Sequence, residues 1–514
     1  MTPPSSERAG ARPRILSGRT SGDPHHDAML LLRQSQRHQR ASAGSAISRV
    51  RAIAADPHVH ALGAFIAESN HREHSVGGRP LTYPDWCLVL FGAAIRIFGS
   101  ASATARALGD TALWGEVLRA ADPLIEADMP IPQCGPNRDH WSYFLRKRVS
   151  TGGLSTVSDL MTELAIERAE EVGLLNQEDA QPVGRYHRDH VVGMDGKVFS
   201  SPLRTLDRER VNRVTGELRP VRQDGARQQY GEGGVDGIVW GTKFAIASVR
   251  SPMTNHRVIL GISHFDSATQ GGEGRVFTDL AKNLAGKSSG IHAFTADGAW
   301  RGTHLDQVQA ATGCGVIAPA RHLTARKGGI TLGRHSFAAQ PLPWSSRRSR
   351  RESRCGGHQL WACAGTLFEQ IIASDGSSEF VELRRHQTKR DVTHHKNGSR
   401  RHQFYGRYTL PCPTTGEPHT WWEPLLPVTH DAQAKFNRCE YLRVVPATSP
   451  EHARLYGMRQ DTESLNAQLE RAFYGQRLPA WGVHNQTVVV LLAAMAENAW
   501  ARQVWRDELV RQRT

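Results

Sequence analysis

The chain has 514 residues, 39% hydrophobic and 22% charged, with 64 Lys and Arg against 50 Asp and Glu. At roughly 100–200 residues per domain this is enough for about three domains with real cores, which excludes a miniprotein and a wholly disordered tail. A net charge of +14 and a pI near 9.8 point to a polyanionic partner, most simply nucleic acid.

Residues 1–45 are rich in Ser, Pro, Gly and Arg and read as a disordered basic arm. The opening MTPPSSERAGARPR has no apolar core ahead of a small-residue cleavage site, so it is not read as a secretory signal and an intracellular protein is expected. From 46 to 185 the apolar spacing is helical, over Leu81–Phe98, Ser102–Leu108, Thr111–Ala121, Arg138–Arg148 and Thr156–Val172, which predicts an all-helical domain. Within it, SASATARALGDTALWGEVLR (100–119) has the short helix, Gly-containing turn and second helix of a helix-turn-helix, although a plain helical bundle accounts for it equally well.

From Val191 the pattern changes to short β-type runs at Val191–Phe199, Ile238–Val249, Val258–His264, Ile291–Ala296 and Val316–Ala318. Helices are expected at Glu273–Leu284 and His304–Thr312, and Arg208–Gly237 reads as a Gly- and Arg-rich loop. Strands interleaved with amphipathic helices predict an α/β sheet, mixed because the first three strands follow one another without helices. Residues 322–440 break this rhythm and read as an inserted, mostly-β module. Its two basic stretches, Arg321–Arg354 and Arg384–Arg407, carry +8 and +7, as much positive charge as the whole chain nets, and place the polyanion surface there.

The insertion and its exit also hold Cys355, His358, Cys363, Cys412, His419 and Cys439. Their irregular spacing reads as ordinary buried thiols rather than structural zinc. Seven Cys, an odd number, argue for reduced thiols. A helix from about Pro450 to Phe473 follows, with Ser449 as N-cap and Pro450 at its first position. A second, apolar helix spans Gln486–Trp505; its longest apolar run ends at Glu497, far short of the roughly 20 residues a bilayer span needs.

Three acids stand out. Asp195 lies in VVGMDGKVF on the first strand and Asp297 in IHAFTADGAW at the end of the fourth, where side chains at strand ends converge on the crevice of an open sheet. Each is followed by Gly, so each alone reads more simply as a turn residue. Glu463 lies in LYGMRQDTESLNAQLER, where at about 100° per residue Tyr456, Arg459 and Glu463 fall within about 60° of one another, opposite Leu465, Leu469 and Ala472. The plain alternatives are a solvated helix face and an Arg459–Glu463 salt bridge. Asp266 with Glu273 behind it is the rival acid, and Trp300 reads as core.

Strand Asp, strand Asp-Gly-aromatic and a late-helix Y-x2-R-x3-E together resemble the DDE-type insertion-sequence transposases, whose catalytic core is ribonuclease H-like. The signature of the group it most resembles continues to a Lys seven residues after the Glu. Here Glu470 stands at that position, with Arg471 beside it. The resemblance covers about 186–321 and 440–505, and the long insertion before the catalytic helix belongs to it.

It implies an α/β ribonuclease H-like core with a mixed sheet in two parts, 186–321 and 441–514, around the basic β-rich insertion 322–440, behind a helical DNA-binding domain at 46–185. It also implies catalysis by Asp195, Asp297 and Glu463 holding two Mg²⁺ ions, with Mn²⁺ able to substitute. Tyr456, Arg459 and Arg471, together with Arg347, Arg348, Arg350, Arg351, Arg384 and Arg385 of the insertion, are the expected DNA contacts. The implied partners are double-stranded DNA, as terminal inverted repeats and target, and a second copy of the chain on that DNA. No membrane partner is implied, and the setting is cytoplasmic, on a bacterial nucleoid. Two other readings stay open: a non-catalytic DNA-binding protein of transposase descent, and a nuclease of the same fold without strand transfer.

Overall fold

The computed structural model describes residues 46–71, 81–125, 131–149, 153–176, 181–202, 209–211, 214–220, 227–235, 238–253, 256–266, 271–322, 329–343, 358–411 and 416–513. The basic arm at 1–45 and Arg347, Arg348, Arg350 and Arg351 lie outside the described residues.

Helices come first in the chain: α1 (Pro57–His71), α2 (Asp85–Phe98), α3 (Ala101–Leu108), α4 (Thr111–Ala121), α5 (Arg138–Tyr143) and α6 (Leu154–Glu171). The caps explain the breaks. Gly99 ends α2 in the left-handed region (φ 82°), Ser100 caps α3 through Ala103 N–H, and Asp110 caps α4 through Ala112 and Leu113 N–H. A 111° bend separates α2 from α3. No single helix among the described residues is long and apolar enough to cross a membrane.

The chain then lays down a mixed α/β sheet. Its strands are β1 (Val191–Ser200), β4 (Arg227–Val235), β5 (Ile238–Arg250), β6 (Arg257–Phe265), β7 (Ala293–Thr295) and β8 (Gly315–Ile317), with a small β2–β3 hairpin (Glu209–Val211, Leu218–Pro220) between β1 and β4. The stretch expected to be a loop, 208–237, thus carries three strands; Gly and Arg do not forbid an edge strand whose pairing comes from the backbone. β1, β5 and β6 pair antiparallel in succession, with β4 sharing the outer edge of β5. On the other side of β1, β7 and β8 are parallel, reached through α7 (Glu273–Lys287) and α8 (Thr303–Thr312). Helical crossovers are what parallel neighbours require.

Each face of this sheet is buried in a different core. Met194, Ala245 and Ala247 pack with Phe277, Leu284 and Trp300, which is wholly buried as expected. Phe244, Ile246 and Ile259 pack with α2, α6 and the long terminal helix, so the helices of 57–171 share a core with the sheet.

The insertion is built of strands, as expected: β9 (Ile330–Leu332), β10 (His335–Phe337), β11 (Ala339–Pro341), β12 (Gln359–Cys363), β13 (Thr366–Ile372), β14 (Ser378–Leu383), β15 (Arg385–His394), β16 (Arg400–Pro411) and β17 (Pro418–Pro424). Its exit passes through α9 (Thr429–Gln433) and α10 (Arg438–Tyr441), pinned by buried Arg438, which pairs with Glu423 at 2.7 Å and Asp431 at 2.8 Å.

The helix expected at Pro450–Phe473 is two, α11 (Pro450–Gly457) and α12 (Arg459–Ala472), broken at Met458 beside the poor helix former Gly457. The last helix, α13 (Val483–Arg513), is longer than its apolar run because its final turns are polar and exposed.

Helix α12 lies along β1, and their contacts run in step. Thr462 covers Gly193, Asn466 Nδ2 donates to Asp195 Oδ2 at 2.9 Å, Lys197 Nζ meets Glu470 Oε2 at 2.6 Å, and the rings of Phe199 and Phe473 stand 5.9 Å apart. Four helical residues rise about 6 Å and two strand residues about 6.6 Å, so positions 462, 466 and 470 match 193, 195 and 197. A Cβ on Gly193 would stand 2.6 Å from Thr462 Cγ2. Gly193→Ala is therefore expected to cost about 1–3 kcal/mol in urea unfolding, and adding Thr462→Ala to recover part of that loss. A strictly additive double variant would show that the two positions are not in contact.

Candidate functional site

The crevice arises where two strands part. β1 and β7 pair as Val191–Ala293, Val192–Phe294 and Gly193–Thr295, and there β7 ends while β1 continues to Ser200 on β5. Asp195 and Asp297 each lie two residues past the last pair, Asp195 still in β1 and Asp297 in the bend after β7, near enough for the charge of Asp297 to act on Asp195. The turn reading fails at Asp195, which is mid-strand. Its Gly196 instead leaves room for Glu273 and Lys243, which a Cβ there would strike from the opposite face. The turn reading holds at Asp297, whose Oδ1 accepts Ala299 N–H at 2.8 Å in the bend before Trp300.

α12 closes the crevice from above. Relative to Thr462, residues Arg459, Glu463, Asn466 and Glu470 occupy one stripe about 60° wide, and Leu465 and Leu469 are buried beside it as expected. Arg459 spans Tyr456 and Glu463: Nη1 donates to Tyr456 Oη at 3.3 Å and Nη2 to Glu463 Oε1 at 2.7 Å. The salt bridge weighed for this pair is therefore present. Tyr456 also stacks on His452, with ring centroids 5.6 Å apart.

Asp195 is the electrostatic centre. Burial pushes its carboxyl up to about 6, and the negative charge of Asp297 and, more weakly, of Glu273 adds to the rise. The Gly196 N–H and the Arg459 guanidinium oppose it. Three buried polar atoms around this point have no hydrogen-bond partner: Asn466 Oδ1, Thr295 Oγ1 and Arg459 Nε. A carboxylate whose proton affinity is raised by a second one, with orphaned oxygens alongside, forms part of a donor set that suits a hard divalent cation. Among the described residues, no three His, Cys, Asp or Glu side chains gather closely enough to hold a metal ion as they stand, and Glu463, half exposed, is turned to Arg459.

Other expected residues lie elsewhere. Arg471 is exposed in the last turn of α12, one step round the helix from Glu470. Arg384 is exposed between β14 and β15. Arg385 is not presented to a partner: Nε donates to Tyr408 Oη at 2.9 Å, Nη1 to the carbonyls of Arg443 and Val444, and Nη2 to that of Gly365, which ties the hairpin base to the chain beyond α10.

Asp266 follows β6 directly, and it is Glu273, at the start of α7, whose charge reaches Asp195. Of the Cys/His set, Cys363 and Cys439 are buried apart, against the carbonyls of Phe337 and Leu425, and His358 pairs with Glu369; Cys355 and Cys412 lie outside the described residues.

Sequence reasoning missed Asn466 and Lys197. Helical spacing from Glu463 and strand alternation from Asp195 would have found them, since Asn466 is three residues from Glu463 and Lys197 two from Asp195.

No known protein-family model matches the chain, and none of the curated proteins compared with it is similar in sequence.

The raised carboxyl gives a measurable signature. An Asp with a folded value near 6 and an unfolded value of 3.8 favours folding fully below pH 4, and that contribution is lost as pH rises through 6. Asp195→Asn removes the dependence. The stability of the variant minus that of the parent is therefore expected to grow by up to about 3 kcal/mol between pH 4 and pH 7.5. A difference that stays flat with pH would mean that Asp195 titrates normally.

Proposed function

We propose that the crevice is a divalent-metal-dependent phosphoryl-transfer centre acting on DNA, and that the chain is a DDE-type transposase that cuts the ends of a mobile element and joins their 3′-hydroxyls to target DNA. The observation that carries this reading is that the charge of Asp297 acts on Asp195, which is itself held by Asn466 from the stripe of α12 that bears Arg459 and Glu463. The ribonuclease H-like assignment is supported by three antiparallel strands in succession, then two parallel strands each reached through a helix, then a helix returning to the face of the first strand.

Asp195 and Asp297, with Glu463, would hold the ions. When bound, Mg²⁺ supplies charge neutralisation at the attacking and leaving oxygens of an in-line displacement. Asp195 must shed its proton to serve as a ligand, so metal and proton would compete for it. Asn466 fixes the rotamer of Asp195 by donating to Oδ2, and its free Oδ1 faces buried space. Arg459 holds Glu463 in place and would meet a phosphate of the bound strand by exchanging its bond to Tyr456 or Glu463. Lys197, paired with Glu470 one rung from Asp195, supplies from β1 a cation where the resembled signature has one on the helix. Arg471 and Arg384, both exposed, are left as backbone contacts.

A second reading, a DNA-binding protein without catalysis, is favoured by one observation: the carboxylate of Glu463 is engaged by Arg459 rather than aimed at Asp195. One experiment separates the readings. Full-length protein is incubated with duplexes from either side of its own coding sequence, with Mg²⁺ or Mn²⁺, and both cut ends and joined products are measured. Cutting and joining are expected, with Asp195→Asn, Asp297→Asn and Glu463→Gln each losing at least about a hundredfold in rate while duplex affinity stays within a few-fold. Binding without nicking would establish the non-catalytic reading, and cutting without joining a plain nuclease.

A further inference from the structure

The flank of α12 turned away from Asp195 carries a different chemistry. Arg188, in the turn before β1, and Arg250, the last residue of β5, both pair with Asp461 on α12, Arg250 at 2.5 Å. Arg257, the first residue of β6, donates to Ser464 Oγ at 2.7 Å. Beside Arg250 and Arg257 opens a cleft of about 150 Å³ whose other walls are Ile259, Ser464, Leu465, Gln468 and Glu497. That is room for a tetrahedral oxyanion and accompanying water.

Charge in this cleft is under-compensated. Asp461 is shared by two guanidiniums, and Glu497 on the far wall is held by Arg96 at 2.7 Å. The Nε atoms of Arg188 and Arg257 are buried without a hydrogen-bond partner. Burial first, then Arg250 and Arg188, push the Arg257 guanidinium down to about 10, against the pull of Asp461 and Glu497. A buried cation short of counter-charge is costly, and a bound anion relieves that cost. Planar guanidiniums grip oxyanions through paired N–H donors.

We propose that this cleft binds a phosphate-class oxyanion, held by Arg250 and Arg257 beside Ser464 and Gln468. The site is independent of the crevice reading, because nothing in it depends on Asp195 or on metal. It lies against the helix that carries Arg459 and Glu463, and its ligand competes with Asp461 for Arg250 and Arg188.

The test uses the full chain and inorganic phosphate, compared with chloride at matched ionic strength. Phosphate is expected to raise Tm progressively, as mass action requires, and chloride not to. Gln468→Glu places a tethered carboxylate in the cleft; it is expected to raise Tm without phosphate and to lose the phosphate response. Arg257→Gln is expected to lose the response as well.

A duplex titration then identifies the source of the anion. If the site takes a backbone phosphate, Gln468→Glu weakens duplex binding about tenfold and lowers the slope of log affinity against log salt by about one. If it takes a free anion, duplex binding is unchanged and the phosphate response stands. A phosphate response equal in all three proteins, or absent from the parent while duplex binding is the same with and without Gln468→Glu, overturns the site.

Discussion

The fit of α12 onto β1 is the constraint on which the rest depends. A helix and a strand run side by side in register only if every four residues of one meet every two of the other. Here the match is kept over Gly193–Phe199 against Thr462–Phe473. Burial of Leu465, Leu469 and Phe473 supplies the attachment, about 1.5–3 kcal/mol each as an upper estimate. Keeping Asp195 ionised in this setting costs up to about 3 kcal/mol by comparison. The apolar edge of the helix therefore outweighs the polar one, and an electrostatically unfavourable carboxylate stays seated. Gly193 is the residue that lets the two backbones approach this closely.

Because α12 is gripped along one edge, its two flanks meet opposite environments. One flank faces Asp195, whose carboxyl feels the charge of Asp297, and the other faces Arg188, Arg250 and Arg257, of which the first two share Asp461. Asp461 and Arg459, two residues apart at the start of the helix, belong to different flanks. A displacement of the first turn that eases one set of charges shifts the other. At Met458, where α11 stops and α12 begins, the backbone stays in the right-handed helical region, and Arg459 bonds back to Tyr456 across the junction.

Much of this was legible in the residues, for identifiable reasons. The buried strands and their crossover helices appeared at nearly their observed bounds because burial enforces apolar periodicity, as in β5 and α8. The edge strands β2, β3 and β4 and the basic strand β15 were invisible, because an exposed or edge strand is held by backbone pairing and carries no such pattern. Asp195, Asp297, Arg459 and Glu463 stood out as chemistry at the right offsets. The amide of Asn466 did not, since its spacing from Glu463 was its only mark in the sequence and its neighbour across the sheet is known only from the fold. Arg385 misled for the opposite reason: a basic run looks the same whether its donors face a partner or the protein's own carbonyls.

The insertion places a long wait between the two halves of the crevice. Asp195 and the Asn466 that holds it are separated by 271 positions along the chain. During synthesis at roughly 5–20 residues per second, β1 is made tens of seconds before α12. Until then the face of Gly193, Asp195 and Lys197 has no cover, and closing so large a loop is a late, slow event. A nascent or truncated chain ending within the insertion carries both aspartates and the basic strands but lacks Arg459 and Glu463. The order of the elements along the chain thus leaves the surroundings of Asp195 incomplete until α12, close to the end of the sequence, has been made.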